Sequence, residues 1–136
     1  MGVFISGKYI GNKKMSLVHE DSKTEIFTAA PKDNNGDGSS FSPTDLFTSS
    51  LGACMITIIG IIAERDGVSL EGSHFRAEKI MSASPRRVAE IPIAIHLPKD
   101  LTEELRRKYE QAATTCPVHH SLHPDIKVSL TYHYDV

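Results

Sequence analysis

The sequence predicts an α+β domain with antiparallel strands packed around one long apolar helix. Three observations carry this. A run from Ser42 to Arg65 holds almost only apolar and small side chains, yet helix start and stop signals bracket it. The segments on either side alternate polar and apolar residues with the period of a strand. A shorter amphipathic helical stretch and a last strand then follow. The order is strand, strand, strand, helix, strand, strand, helix, helix, strand, which fits helices laid against an antiparallel sheet.

Residues 3–10 mix β-branched and aromatic side chains, and Gly11-Asn12 is a turn signal before a second strand over 14–20. The two read as a hairpin. A third short strand is expected over 24–29. A polar loop from Pro31 to Ser40 follows and leads directly into the helix. Its Asp33-Asn34-Asn35-Gly36-Asp37 run lacks the ligand spacing and terminal Glu of a calcium loop, so no calcium site is expected.

Ser42 is placed to cap the long helix, and Pro43 fits its first position, where a missing N–H costs nothing. Asp45 in the first turn suits the positive end of the dipole. Gly67 is expected to close the helix in a left-handed conformation. Being apolar on all sides, the helix is expected to be buried all round. Ser, Thr and Gly interrupt it and charges flank it, so it is not expected to span a membrane.

Two strands are expected next, over 68–80 and 88–97. The second places Ile91, Ile93, Ile95 and Leu97 on one face, and its Pro92 points to an edge or a bulge. Residues 100–115 read as a helix capped by Asp100 with Glu103 in reciprocal position. Leu101, Leu105, Tyr109 and Ala112 form its apolar stripe, and Glu103, Glu104, Arg106, Arg107, Lys108 and Glu110 its solvated face. Pro117 starts a short helix through about Leu122, and 126–134 is the final strand.

The chain is the length of one domain, residues 1–136, with 40% apolar and 24% charged residues. A net charge of -2 with no basic stripe excludes a nucleic-acid partner. No charged-then-apolar leader opens the sequence, so a cytoplasmic protein is expected. One sheet and one further helix cannot cover the long helix on every side, which predicts a homodimer with that helix at the interface.

The two cysteines carry the chemistry. In a reducing compartment a pair of thiols is catalytic, redox-active, metal-bound or simply buried. Cys54 lies mid-helix beside Leu51, Met55 and Ile58, where burial alone would raise its pKa. Cys116 precedes Pro117 at a helix start, where backbone N–H groups favour a thiolate. The segment Cys116-Pro117-Val118-His119-His120-Ser121-Leu122-His123 also offers metal-ligand types. A zinc site needs four ligands in a closed arrangement, so the histidines are read first as a half-exposed polar face. A further reading lets His119 or His120 supply positive charge to a cysteine. His74, His96 and His133, on predicted strands, are read as surface or packing residues. No metal or other cofactor is expected.

Ser42-Pro43-Thr44-Asp45-Leu46-Phe47, then Leu51-Gly52-Ala53-Cys54, then the distant Thr115-Cys116-Pro117-Val118-His119 together resemble the OsmC/organic hydroperoxide resistance family. The match of motif and element order runs over nearly the whole chain. The resemblance implies an intertwined α+β homodimer with active sites at the subunit interface. It implies that Cys54 attacks a small organic hydroperoxide to give a sulfenic acid, that Cys116 resolves it as a disulfide, and that an external dithiol reduces the pair.

Typical peroxidase members carry a Glu directly after the Pro of the helix start and an Arg in the N-terminal strands. Here Thr44 takes the Glu position, with Asp45 beside it as the candidate third catalytic residue, and no Arg precedes Arg65. On an ideal helix Asp45 stands ~13 Å along the axis from Cys54 and half a turn round. The sequence thus resembles the OsmC-like branch more than the dedicated peroxidases. A second functional class fits the same residues: a dimeric module whose apolar interface pocket holds a small ligand or metal without turnover.

Overall fold

The computed structural model describes residues 2–136. Two compact units divide the chain, one ending at Leu46 and the other running from Phe47 to Val136.

The first unit is a three-stranded antiparallel meander, β1 (Ile5–Gly11), β2 (Lys14–His19) and β3 (Glu25–Ala29), in the order β1-β2-β3. The Gly11-Asn12-Lys13 turn is left-handed at all three residues, the conformation that Gly and Asn tolerate best. On β2 the buried Ser16 hydroxyl donates to Glu25 on β3 at 2.6 Å, which satisfies the one polar side chain that strand buries. After β3 the loop turns through a 3-10 segment, Lys32–Asn34. Asp37 is fixed there by Ser39 and by Lys14 at 3.2 Å; these donors hold its carboxyl down at about 2. The unit closes in the first turn of α1 (Pro43–Arg65).

The cap of α1 is as expected and is also reciprocal. Ser42 Oγ accepts from the Asp45 N–H at 3.1 Å, and the Asp45 carboxylate accepts from the Ser42 N–H at 2.8 Å. At the other end Gly67 has φ +70, with Val68 N–H donating to Ala63 O and Gly67 N–H to Glu64 O. That is the paired C-terminal closure which a left-handed glycine permits.

Burial all round is not met within one chain. The buried residues are Thr48, Leu51, Gly52, Met55, Ile59 and Ala63, one face at helical spacing, while Ala53, Thr57 and Ile61 are exposed. The reason is geometric: a single neighbouring layer covers a single stripe of a helix. By length and composition α1 would pass as a membrane span, but its buried face joins Ile91, Ile93, Ile95, Leu97 and Tyr109 in one core.

The second unit continues with three strands where two were expected: β4 (His74–Ala77), β5 (Ile80–Ala83) and β6 (Arg86–Leu97). Residues 68–73 are irregular, with a turn at 71–72, instead of strand. Both β4 and β5 run antiparallel to β6, one after the other along it, and the break between them faces Pro92. Pro92 is therefore on the central strand, at an irregularity and not at an edge. Its missing N–H falls on the side of β4 and β5, where the ladder is broken, while on the other side Pro92 is in register with Ser129 of β7. The last strand, β7 (Lys127–Tyr134), pairs with β6 in parallel, so the sheet is mixed and not purely antiparallel.

Between them lie α2 (Glu103–Ala113) and α3 (Pro117–Ser121). Thr102, not Asp100, caps α2, its hydroxyl accepting from the Leu105 N–H at 3.2 Å. The charged side of α2 is not merely solvated. Arg106 binds the Lys99 and Leu101 carbonyls and lies 4.1 Å over the Tyr134 ring, and the Tyr134 hydroxyl donates to Glu110. Lys108 pairs with Asp66 at 2.8 Å, and the buried Tyr109 hydroxyl donates to the same carboxylate at 3.0 Å. These contacts tie α2 to β7 and to the end of α1.

Candidate functional site

Cys54 is half-buried on α1 and Cys116 fully buried at the start of α3; both are free thiols. They come from elements far apart in sequence, yet their side chains lie within hydrogen-bonding reach of each other. Two local rules bring Cys116 there. Pro117 is pre-organised for the first position of α3, and Cys116 is its N-cap, with φ -64 and ψ 139. The Cys116 sulfur takes the role that Ser or Thr usually fills, accepting from the His119 N–H at 3.2 Å and from the Val118 N–H.

Electrostatically the two sulfurs differ. Burial pushes the Cys116 thiol up from its ordinary value, and Cys54 pushes it further, as a hydrogen-bond partner and by like charge. The His119 and Val118 N–H groups pull the other way without winning. The helix start does favour the Cys116 thiolate as the sequence implies, but desolvation outweighs it. Cys54 is the more accessible of the two residues, and Cys116 the buried one whose thiol is held above its ordinary value.

The remaining sequence candidates are placed as follows. Asp45 sits in the first turn of α1 with its carboxylate on the Ser42 N–H, and the Thr44 hydroxyl lies 3.2 Å from that of Ser42. The Asp45 contact is a capping one. His119 and His120 meet edge to face with centroids 6.1 Å apart, and His119 reaches Cys116 through its backbone N–H. Among the described residues no three His, Cys, Asp or Glu side chains converge as a metal site.

One neighbour escapes a sequence reading. Phe75, on β4, packs so closely on Gly52 that a Cβ there would stand 2.8 Å from its Cγ and nearer still to Cδ2 and Cε2. The absence of a side chain at Gly52 lets an aromatic ring lie directly against α1, two residues before Cys54 in the chain. The glycine in Leu51-Gly52-Ala53-Cys54 is the signal that could have pointed to a close approach.

A two-cysteine site of this kind can cycle between dithiol and disulfide. No curated protein matches the chain. The family model for OsmC-like proteins matches residues 36–131, which include both cysteines. A Psychrobacter arcticus structure assigned to the osmotic stress and detoxification response is 41% identical, covers 98% of each chain and superposes with a TM-score of 0.92. The organic hydroperoxide resistance protein OsmC of Legionella pneumophila shares the fold at 20% identity, 98% and 97% coverage and a TM-score of 0.73. The organic hydroperoxide resistance protein OhrB of Bacillus subtilis does so at 15% identity, 97% and 98% coverage and 0.68. With its capped central helix, its paired thiols and this likeness over nearly its whole length, the chain belongs to the OsmC-like family.

Proposed function

We propose that the protein is a thiol-dependent reductase of organic hydroperoxides, acting as a single OsmC-like domain in a cytoplasmic homodimer. The observation that carries this is the approach of Cys54 to Cys116, the first half-buried and the second fully buried with its thiol pushed up. The Cys54 thiolate attacks the distal peroxide oxygen. The O–O bond breaks, the alcohol leaves with a proton, and the two electrons lost by sulfur leave Cys54 as sulfenic acid. Cys116 sulfur then displaces the sulfenic hydroxyl. A disulfide forms, and the hydroxyl departs as water with the Cys116 proton. An external dithiol restores both thiols. The apolar core that Cys54 packs against, with Leu51 and Met55 in it, favours an alkyl peroxide over hydrogen peroxide.

The dimer follows from the uncovered apolar surface. Phe4, Ile5, Tyr9 and Phe27 of the first unit are exposed, as is Ile61 on α1. Apolar surface of this extent is what a second copy covers. Light scattering at micromolar concentration is expected to give twice the chain mass; a monomer would refute it.

The reaction is tested by counting thiols before and after one equivalent of tert-butyl hydroperoxide, with mass spectrometry. Two thiols lost per chain and a Cys54–Cys116 disulfide are expected within seconds, and Cys54→Ser is expected to abolish turnover. A second reading, a module that binds a small apolar ligand without turnover, is favoured by one observation: among the described residues, no cation is among the groups that shift the Cys116 thiol. Two unreacted thiols after minutes would select it.

A further inference from the structure

The outer face of the second sheet holds a cavity of about 400 Å³ beside the break at Pro92. On β6, Ile91, Ile93, Ile95 and Leu97 enter the core, so alternation turns Pro92, Ala94 and His96 outward. Arg76 on β4 and Thr131 on β7 are in register with Ala94 from its two sides, and Ser129 is in register with Pro92. Glu78 stands across from Ser129, its N–H donating to the Pro92 carbonyl at 3.0 Å. Short side chains on the middle strand, between longer ones on its neighbours, leave a trough floored by Pro92 and Ala94. It is about 9.5 Å across between the backbones of β4 and β7. Beyond Ala94 the rings of His74, His96 and His133 stack in a row over the same three strands, with centroids 4.4 and 4.7 Å apart.

The charges around this trough are paired except along one wall. His96 bonds Asp135 at 2.9 Å, and Lys127 pairs with Glu90 at 3.7 Å. Arg76 and Glu78 carry opposite charges two residues apart on the same face. Among the described residues neither side chain makes an ion pair or hydrogen bond, with the other or with a third group. The break in the ladder adds a backbone acceptor. An antiparallel pair of this kind exchanges two hydrogen bonds. Glu78 donates to Pro92, but proline has no N–H to return, and no other N–H among the described residues donates to the Glu78 carbonyl. One wall thus sets a five-donor guanidinium beside a carboxylate and an open carbonyl, next to an apolar floor.

We propose that this trough binds a free α-amino acid with an aliphatic side chain. Arg76 takes the ligand carboxylate, the carboxylate and carbonyl of Glu78 take its ammonium group, and its side chain lies on Pro92 and Ala94. A simple anion would meet Arg76 but face Glu78, and a simple cation the reverse; a zwitterion satisfies both. The two residues start about 7 Å apart along the strand, and both side chains are long enough to converge on the charged groups of a single α-carbon. Guanidinium meets carboxylate through two parallel N–H donors, which fixes the orientation of the ligand. The volume is in the range of small-molecule sites. The trough is on the face of the sheet turned away from the core that holds Cys116, and it is independent of the peroxidase reading.

The test titrates full-length protein at pH 7.5 with L-leucine and follows amide NMR signals. Saturable shifts centred on residues 76–78, 93–94 and 129–131 are expected. Arg76→Gln and Glu78→Gln, both at exposed positions, are each expected to weaken binding about 10-fold, the worth of one charge-assisted contact. Two analogues repeat the test on the unaltered protein, so that folding of the variants cannot decide it. 4-Methylpentanoate lacks the ammonium group and 3-methylbutylamine the carboxylate, and each is expected to bind about 10-fold more weakly than leucine. No saturation at tens of millimolar leucine, shifts centred elsewhere, or equal affinity for leucine and either analogue would each overturn the proposal.

Discussion

Replacing Gly52 by Ala sets two known effects against each other beside the thiol. In a helix interior Gly→Ala is worth about 1 kcal/mol of stabilisation from backbone propensity alone. At this position the added methyl meets the Phe75 ring, 2.8 Å from Cγ and closer to two other ring carbons. Carbon pairs rest at about 3.5–4.0 Å, so the ring or the helix must retreat by about 1 Å. Phe75 pairs with Ile95 of β6 in register and packs against the buried core, which limits that retreat. Overpacking of this kind costs about 1–3 kcal/mol. The net expectation is a destabilisation of about 1 kcal/mol, read as a lower urea midpoint at unchanged slope and fixed protein concentration. Phe75→Leu in the Gly52→Ala background removes ring atoms from the clash and is expected to couple favourably with it in a double-mutant cycle. A Gly52→Ala protein more stable than the parent by about 1 kcal/mol would show that the ring yields freely and refute the close-packing argument.

Two further predictions concern stability. Thr102→Ala is expected to cost about 1 kcal/mol through loss of the α2 cap, while Asp100→Ala changes stability little; the same urea titrations decide, and the reverse order would restore Asp100 as the cap. Burial and the Asp66 carboxylate push the Tyr109 hydroxyl up to about 12 from 10.0. The native state holds that proton where the unfolded chain has lost it, so stability falls as pH rises from about 10 toward about 12. Tyr109→Phe is expected to flatten part of that limb in thermal melts against pH; Tyr132, raised to about 12 by burial, and Tyr134, raised by burial and its bond to Glu110, keep the rest.

What the sequence made legible was local. The α1 boundaries follow from Ser42, Pro43 and Gly67, because caps act within a turn of the residues that make them. The α2 start was read two residues early because Asp100 and Thr102 are both competent caps, and only the backbone path decides which oxygen reaches an N–H. The break between β4 and β5 was hidden, since alternation continues across it and Pro92, which marks it, is on another strand. Nor does alternation carry strand direction, so the parallel pairing of β7 was out of reach. The nearness of Cys54 and Cys116 is a tertiary fact that only the family resemblance anticipated. The histidine row depends on the register of three strands at once, so each histidine alone looked like ordinary surface.

The raised thiol of Cys116 sets an expectation for the proposed chemistry. Attack on a sulfenic sulfur requires thiolate. Burial and Cys54 hold Cys116 above its ordinary value of 9.0, so at neutral pH only a small fraction of it is ionised. In the mass-action regime that fraction grows about tenfold per pH unit. Disulfide formation after a rapid single turnover with tert-butyl hydroperoxide is therefore expected to accelerate steeply between pH 7 and pH 9. The sulfenic acid at Cys54 would be longest-lived at the acid end, and trapping it with dimedone at timed intervals measures its decay. In Cys116→Ser the sulfenic acid is expected to persist at every pH in that range. A decay rate flat with pH in the parent protein would mean that Cys116 is already ionised when it attacks. The backbone donors of Val118 and His119 would then outweigh burial, reversing the balance assigned to this site.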